Sequence, residues 1–177
     1  MGIADVCSAL LAARAGWHVP SHKARGVYGV FLAEGVTIPG LTTADNGLVY
    51  IGRNTTGLSH FDHFAAKPDG KQPSSARRSL SALLQDELSL DVAVTTLWDD
   101  GFSFRLSGAS EARLSAWMAK ALLVARLPLS GDTTGVHSLL VRALEPPLNL
   151  AGWRNAQRNH ILAMRRACAY GAHADLT

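Results

Sequence analysis

The sequence predicts an α+β domain with a small, mostly antiparallel sheet flanked by helices. Two runs rich in Val, Tyr, Phe and Ile, at 26–33 and 48–52, are typical of strands, and the polar loop between them joins the two as a hairpin. Segments with helical spacing and short strand-like segments follow in the order helix, hairpin, helices, strands, helix, helix, which favours this class. A chain of 177 residues, 47% of them hydrophobic, can bury one core of ordinary size.

The first half of the chain supplies the predicted hairpin between helical segments. Apolar residues at helical spacing indicate a helix at 3–13, and Gly16 and Pro20 end it. Ser74 or Ser75 can cap a later helix whose leucines share one face. The predicted elements of this half are helix 3–13, strands 26–33 and 48–52, a helical turn at 57–64, an irregular segment at 67–75 and helix 76–88.

The second half adds further strands and helices. Asp99-Asp100-Gly101 is a turn signal between two strands. Pro146-Pro147 ends the helix that precedes these two prolines. The predicted elements of this half are strands 92–97 and 101–106, a helix capped by Ser110 and running through Met118, strand 122–127, and helices 135–144 and 155–170.

Composition limits the classes of function. The formal charge of +3 is a mild excess that neither demands nor excludes a polyanionic partner. Cys7 and Cys168 lie at opposite ends of the chain and match neither a disulfide framework nor zinc-ligand spacing. No apolar run approaches the roughly 20 residues of a membrane-spanning helix, and residues 1–20 lack the pattern of a signal peptide. We therefore expect a cytoplasmic protein with no membrane partner.

Two short segments place a tyrosine in each strand of the predicted hairpin. They are Gly26-Val27-Tyr28 and Val49-Tyr50-Ile51-Gly52, and pairing of the strands would set both phenols side by side. A third element, Glu145-Pro146-Pro147-Leu148-Asn149, follows late in the chain. Such a pair can form a functional site, but neighbouring tyrosines also serve simply to support a sheet. The pair by itself therefore leaves both interpretations open.

Together the three elements resemble the GIY-YIG nuclease superfamily, over residues 24–169. The resemblance implies a three-stranded sheet with helices, in which two tyrosines, an arginine, a glutamate and an asparagine surround a scissile phosphate and a divalent metal ion. It maps Tyr28 and Tyr50 onto the tyrosines, Asn149 onto the asparagine and His63 onto a histidine of the first helix. We therefore expect Tyr28, Tyr50 and His63 to be catalytic, with His63 contacting phosphate or transferring a proton.

The resemblance also divides the chain. We expect residues 1–23 to form an N-terminal helical extension, residues 24–170 to form the GIY-YIG-like domain, and residues 171–177 to form a C-terminal tail.

Two positions depart from the family pattern. The arginine expected four residues before His63 is Ser59 here, and Arg53 or Arg77 is the candidate to reach the phosphate instead. The metal-binding glutamate expected on the helix before the Pro-Pro pair is His137, which makes His137 the candidate metal ligand.

The metal implied by the resemblance is Mg²⁺ or Mn²⁺. An imidazole suits zinc, nickel, copper or iron better than magnesium, so the exchange would change which metal fits. His60 and His63 share a helical face, and with His137 they would form a three-histidine site if the fold brings them together. Half-buried histidines beside Phe61 and Phe64 that hold no metal are the alternative.

The resemblance implies DNA as the expected partner, and two groups of basic residues could contact its backbone. Arg77 and Arg78 fall on the side of helix 76–88 opposite its leucines, and further arginines follow the Pro-Pro pair. The predicted nucleic-acid contacts are Arg77, Arg78, Asn149, Arg154 and Arg158. Arginines on an ordinary solvated face are the alternative.

Three functions stay open on the sequence. The first is a metal-dependent endonuclease that hydrolyses phosphodiester bonds in DNA. The second is a catalytically altered relative that keeps the fold and binds nucleic acid or a protein without cleavage. The third is an enzyme recruited to a small-molecule substrate, with a new pocket of histidines and tyrosines. Metal-dependent cleavage that Tyr28→Phe abolishes would distinguish the first from the others.

Overall fold

The computed structural model describes residues 2–18, 24–55, 60–66, 73–98 and 101–174. Its elements, in chain order, are α1 (Ile3–Ala12), β1 (Arg14–Gly16), β2 (Gly26–Leu32), β3 (Leu48–Asn54), α2 (His60–Phe64), α3 (Ser75–Leu83), β4 (Val92–Trp98), β5 (Gly101–Leu106), α4 (Gly108–Ala121), β6 (Leu122–Pro128), α5 (Thr133–Leu144) and α6 (Arg158–Ala174). Ser59, the predicted turn residues Asp99 and Asp100, and most of the predicted irregular segment 67–75 lie outside the described residues.

The main sheet is antiparallel and has the strand order β1-β6-β2-β3. β4 and β5 form a separate antiparallel hairpin, which packs on α6. Because helices line both faces of the main sheet, the predicted α+β class is confirmed.

The predicted tyrosine hairpin is formed by β2 and β3. Its register shifts within the pair, because Val30 lies opposite Tyr50 while Phe31 lies opposite Leu48. Val49 is therefore an extra residue of β3, a β-bulge. As a result, Val49 and Tyr50 both pack against the same apolar cluster, although they are consecutive.

The main sheet separates two apolar clusters. The one beside α1 and α5 contains Val6, Leu10, Val27, Phe31, Leu48, Ile51, Ala125, Leu140 and Val141. The one beside α3, α4 and α6 includes Tyr28, Val30, Leu80, Leu114, Val124 and Ile161. Side chains alternate along β2, which is why neighbouring residues divide between the clusters. We call the side of the sheet that carries Tyr28 the tyrosine face.

The first residues of the chain are attached to the main sheet. The predicted helix at 3–13 is confirmed as α1, which packs on β6 and α5. β1 pairs with β6 at the edge of the sheet, and Trp17, which is 5% exposed, enters the cluster on the tyrosine face. The sequence analysis missed β1, because its Arg-Ala-Gly composition carries no preference for strands.

Several helix boundaries differ from the predicted ones. Ser74 caps α3 as predicted, but the helix ends at Leu83 rather than at 88. α4 is capped by Ser107, whose hydroxyl accepts a hydrogen bond from the backbone N–H of Ser110. α6 begins at Arg158 rather than at 155.

Among the described residues, no helix combines the length and the apolar character that crossing a bilayer requires.

Arg77 lies inside the protein, although it was predicted on the exposed side of its helix. Its side chain is 0% exposed. The guanidinium donates to the Phe64 carbonyl at 2.6 Å, to the Ser115 hydroxyl at 3.0 Å and to the carboxylate of Glu111. These partners replace the water that a buried cation loses. The predicted phosphate and nucleic-acid contacts of Arg77 are therefore wrong, and Arg77 instead joins α3 to α2 and α4.

Candidate active site

The two motif tyrosines lie side by side on the tyrosine face. In the antiparallel register Tyr28 is opposite Gly52 and Tyr50 is opposite Val30, so the phenols are diagonal neighbours on adjacent strands. Their ring centroids are 6.3 Å apart, as the hairpin predicted. Tyr28 is 4% exposed whereas Tyr50 is half-buried, so solvent reaches this pair at Tyr50.

His63 joins the tyrosines from α2. Its imidazole stacks on the ring of Tyr50, with centroids 5.4 Å apart, and its Nε2 lies 3.1 Å from the Tyr50 hydroxyl oxygen. The same imidazole lies 6.4 Å from the ring of Tyr28, measured between centroids. Tyr28, Tyr50 and His63 therefore form one contiguous group, which we call the Tyr–His cluster.

Both phenols are protonated at neutral pH, and burial moves their pKa values further above it. Burial raises the pKa of Tyr50 to about 12. Burial and the neighbouring Tyr50 also raise the pKa of Tyr28 well above its ordinary value. Each phenol therefore acts as a hydrogen-bonding hydroxyl rather than as a phenolate, and His63 is the member of the cluster suited to take up a proton.

A second hydrogen-bonded group, which the sequence analysis missed, borders the Tyr–His cluster. Arg126 in β6 lies opposite Tyr28 in the register, and its Nη2 is 2.8 Å from Nδ1 of His60. The other ring nitrogen of His60 lies 3.0 Å from the carbonyl oxygen of Trp17. The alternation of the predicted strand 122–127 was the available signal, but it does not reveal that this strand pairs with β2.

Arg53 lies on the opposite side of the sheet from the Tyr–His cluster. It pairs with Val27, which belongs to the cluster beside α1 and α5. Its Nη1 donates to the Thr134 hydroxyl of α5 at 2.5 Å. Because side chains alternate along a strand, the residue after Gly52 faces away from the tyrosines. The structure thus corrects the predicted catalytic contact of Arg53.

Asn149 holds the outer edge of β3. Its Oδ1 accepts a hydrogen bond from the Ile51 N–H at 2.8 Å, and its Nδ2 donates to the Ile51 carbonyl at 2.9 Å. β3 ends the sheet on this side, so the side-chain amide replaces a neighbouring strand at this residue. Asn149, which is 8% exposed, thus supports Ile51 and the adjacent Tyr50, and its predicted contact with nucleic acid stays a prediction.

His137 approaches the same edge from α5. Its Nε2 lies 3.3 Å from the Ile51 carbonyl oxygen, to which it donates a hydrogen bond as Nε2–H. Burial lowers the pKa of His137 below its ordinary value of 6.5, the nearby Arg53 lowers it further, and the hydrogen bond to Ile51 acts in the opposite direction. In this arrangement the nitrogen that faces Ile51 carries a proton and is not a metal ligand.

The described side chains do not fit the divalent metal ion that the resemblance implies. Within the described ranges, no group of three or more His, Cys, Asp or Glu residues could hold a metal ion. The three-histidine site does not assemble, because His60 and His63 are on the tyrosine face while His137 is bonded at the β3 edge. A hard cation such as Mg²⁺ also prefers carboxylate oxygens, which the Tyr–His cluster lacks.

The remaining arginines predicted to bind nucleic acid lie on or near α3 and α6. Arg78 is half-buried, and Arg154 and Arg158 are exposed. Arg165 in α6 donates to the Ser79 hydroxyl at 2.5 Å, and burial together with the nearby Arg78 lowers its pKa to about 10. Two cations therefore lie close together where α3 meets α6.

The segment before α6 is tied to the edge of β3. Trp153 donates from its indole to the Asn149 carbonyl at 2.9 Å, and Asn155 donates to the Pro147 carbonyl at 2.7 Å. Arg158 donates from its Nε to the Leu150 carbonyl at 3.1 Å. These bonds fix the start of α6 relative to Asn149, and through it to the strand that carries Tyr50.

A family model for the GIY-YIG catalytic domain matches residues 26–167. The match begins at the first residue of β2, ends within α6 and includes the whole Tyr–His cluster. No curated protein and no solved structure matches the chain. A GIY-YIG catalytic domain indicates nuclease-type activity in general. Since the match spans most of its length, this chain belongs to the GIY-YIG superfamily.

Proposed function

We propose that this protein cleaves phosphodiester bonds in DNA and that the Tyr–His cluster is its reaction centre. The observation that carries the proposal is the hydrogen bond between the Tyr50 hydroxyl and His63 Nε2, 3.1 Å long, at the solvent-facing end of the cluster. A histidine bonded to a hydroxyl is an arrangement suited to moving a proton during hydrolysis.

The reaction needs a water molecule to lose a proton as it attacks phosphorus. When His63 carries its proton on Nδ1, its Nε2 accepts the Tyr50 proton, while the Tyr50 oxygen accepts a proton from water. The water oxygen then forms a bond to phosphorus, and the bond to the leaving oxygen breaks with its electron pair staying on that oxygen, which takes up a proton from solvent water. The water proton stays in the Tyr50–His63 pair. Tyr50 thus relays a proton and remains neutral before and after the step, consistent with a pKa of about 12.

Tyr28 has a different part in this proposal. It is 4% exposed, so most of the residue packs in the core, where it borders Tyr50 and His63. We assign to it a hydrogen bond to a non-bridging phosphate oxygen, because a neutral phenol donates such a bond without a charge penalty.

The DNA backbone is proposed to lie along Arg78, Arg154 and Arg158. Arg154 and Arg158 are exposed, and the hydrogen bonds from Trp153 and Asn155 tie their segment to the β3 edge. Phosphate contacts by such arginines position a duplex without reading its sequence. We therefore expect binding that weakens steeply with added salt.

The test is nicking of supercoiled plasmid by the purified full chain in magnesium, manganese, nickel, zinc or EDTA. The variants are Tyr50→Phe, Tyr28→Phe and His63→Gln, and the matched control is Tyr170→Phe, since Tyr170 is 54% exposed on α6. We expect wild type and Tyr170→Phe to nick equally, and Tyr50→Phe and His63→Gln to lose about 10²–10⁴-fold in rate. Full activity in Tyr50→Phe would exclude this reaction centre, and comparison of the metals with EDTA shows whether nicking needs a divalent ion.

A second candidate, DNA or protein binding without cleavage, is favoured by one observation. The position expected to hold a metal-binding glutamate is His137, and its Nε2 is bonded to Ile51. Salt-sensitive binding of a short duplex, with no nicking by wild type in any metal, would support this candidate over the first.

A further inference from the structure

Arg126 lies on the tyrosine face at the centre of the main sheet. β6 pairs with β2 so that Tyr28 and Arg126 are directly opposite each other. Opposite residues of an antiparallel pair project to the same side with Cβ atoms about 5 Å apart. Tyr28 also lies diagonally next to Tyr50 on its other side. One face of three adjacent strands therefore presents Arg126, Tyr28 and Tyr50 in a row.

Two hydrogen bonds fix the protonation of the group that holds Arg126. A guanidinium has only N–H donors, so the 2.8 Å contact from Arg126 Nη2 requires an unprotonated Nδ1 in His60. The Nε2 of His60 then carries the proton and donates it to the Trp17 carbonyl at 3.0 Å. His60 is 1% exposed and lies against the indole of Trp17, with ring centroids 4.6 Å apart. Trp17 and His60 thus hold the guanidinium in a defined place.

The other arginines considered for the phosphate do not reach this face. Arg53 is on the far side of the sheet on Thr134, and Arg77 is 0% exposed on Glu111. Arg126 is half-buried beside the Tyr–His cluster. Partial burial strengthens the attraction of a guanidinium for an anion, because less water screens the charge.

We infer that Arg126 is the residue that contacts the scissile phosphate, and that His60 positions its guanidinium. This inference rests on the proposed function and deepens it. One N–H of Nη2 donates to His60, which orients the planar guanidinium, and a guanidinium carries further N–H donors in a fork that matches two phosphate oxygens. The fixed charge stabilises the negative charge that develops on the phosphate oxygens during attack. The N-terminal segment contributes through Trp17, which fixes the tautomer of His60.

The first experiment measures the cleavage kinetics of Arg126→Met and Arg126→Lys beside wild type. Arg142→Met is the matched control, because Arg142 is exposed on α5. We expect Arg126→Met to lose about 10²–10³-fold in kcat, since it removes a donor aimed at the developing charge. Arg126→Lys keeps the charge without the fork, so its kcat should lie between those of wild type and Arg126→Met. Wild-type kinetics in Arg126→Met would overturn the inference while leaving the proposed function intact.

The second experiment does not depend on cleavage. Dimethyl phosphate, a phosphodiester without bases, is titrated into isotope-labelled protein while NMR follows the ring signals of His60 and His63. We expect these signals to move with dimethyl phosphate in wild type and Arg142→Met, and not in Arg126→Met. Equal shifts in Arg126→Met, or no shifts in wild type, would overturn the inference even if the chain does not cut DNA.

Two His60 variants separate positioning from simple packing. His60→Gln can accept from Arg126 and donate to the Trp17 carbonyl, as the imidazole does, whereas His60→Leu can do neither. We expect the His63 ring signals of His60→Leu to respond to dimethyl phosphate as weakly as those of Arg126→Met, and those of His60→Gln to recover most of the wild-type response. Equal thermal stability with an equally weak response in both variants would contradict the positioning role.

Discussion

The phenol ring of Tyr28 covers the backbone of Gly52 on the neighbouring strand. A Cβ built on Gly52 would lie 2.1 Å from Tyr28 Cζ and 2.3 Å from its hydroxyl oxygen. No side chain fits in that space, so the glycine that follows Ile51 is a packing requirement of the tyrosine. The two halves of the family motif thus meet across the hairpin.

We predict that Gly52→Ala displaces the Tyr28 ring. Overpacking of this kind costs about 1–3 kcal/mol of unfolding free energy, and nuclease activity should fall with it because the ring borders Tyr50 and His63. Urea unfolding and plasmid nicking measure the two effects. Gly108→Ala is the matched control, since its Cβ would meet nothing within 4 Å. A Gly52→Ala variant as stable and as active as this control would contradict the prediction.

The tyrosine hairpin was predictable because its signals are local. Strand alternation places Tyr28 and Tyr50 on one face once the two strands are joined by a loop. His63 was expected in the site through the resemblance, which maps it onto a histidine of the first helix, and not through a local pattern. Even here, the bulge at Val49 was not predictable from the strand itself, and the Val49 carbonyl accepts a hydrogen bond from the N–H of Leu148, a residue far along the chain.

Arg77 shows what a local pattern cannot supply. The leucines of α3 define an apolar face, and an arginine outside that face is predicted to be exposed. Its charge is matched by Glu111 of α4, which lies far along the chain and is not signalled by the sequence around Arg77. Arg126 was missed for a related reason. Its place beside Tyr28 follows from the pairing of β6 with β2, and the sequence of a single strand does not predict which strand it pairs with.

Neutralising Glu111 should destabilise the protein. Glu111→Gln leaves the Arg77 guanidinium without its carboxylate in a side chain that is 0% exposed. Loss of one partner from a buried ion pair costs about 3–5 kcal/mol, because the remaining charge stays desolvated. The comparison variant is Asp91→Asn, which breaks the exposed pair with Arg113 and should change stability far less. Equal losses of unfolding free energy in the two variants would show that Arg77 is not buried as described.

Asn149→Ala should weaken the edge of β3. It removes the hydrogen bonds to the Ile51 N–H and carbonyl, each worth about 1 kcal/mol, for a total near 2 kcal/mol. Asn149→Asp should be worse still, because a carboxylate oxygen would then face the Ile51 carbonyl oxygen. Chemical denaturation measures both, with Asn159→Asp on the exposed side of α6 as the control. Wild-type stability of Asn149→Ala would show that Ile51 does not need this support.

His137 should make stability depend on mildly acidic pH. Burial lowers its pKa in the folded protein below the ordinary 6.5, so the unfolded chain binds the proton more readily. The free energy of unfolding is then highest above pH 6.5 and falls as the pH drops from 6.5 toward the lower folded-state pKa. His137→Gln should flatten that part of the curve. Parallel wild-type and variant curves of unfolding free energy against pH would rule out the proposed burial.

Tyr50 should ionise at a higher pH than an exposed tyrosine, and its ionisation should lower the stability of the fold at alkaline pH. Its folded-state pKa of about 12 lies above the ordinary 10, so folding favours the protonated phenol. This contribution is complete below pH 10 and is lost as the pH rises through about 12, because the unfolded chain releases the proton earlier. Ultraviolet phenolate absorbance of wild type minus that of Tyr50→Phe isolates the transition. A difference curve centred near 12 is expected, whereas one centred near 10 would mean that Tyr50 is open to solvent and that its bond to His63 does not persist.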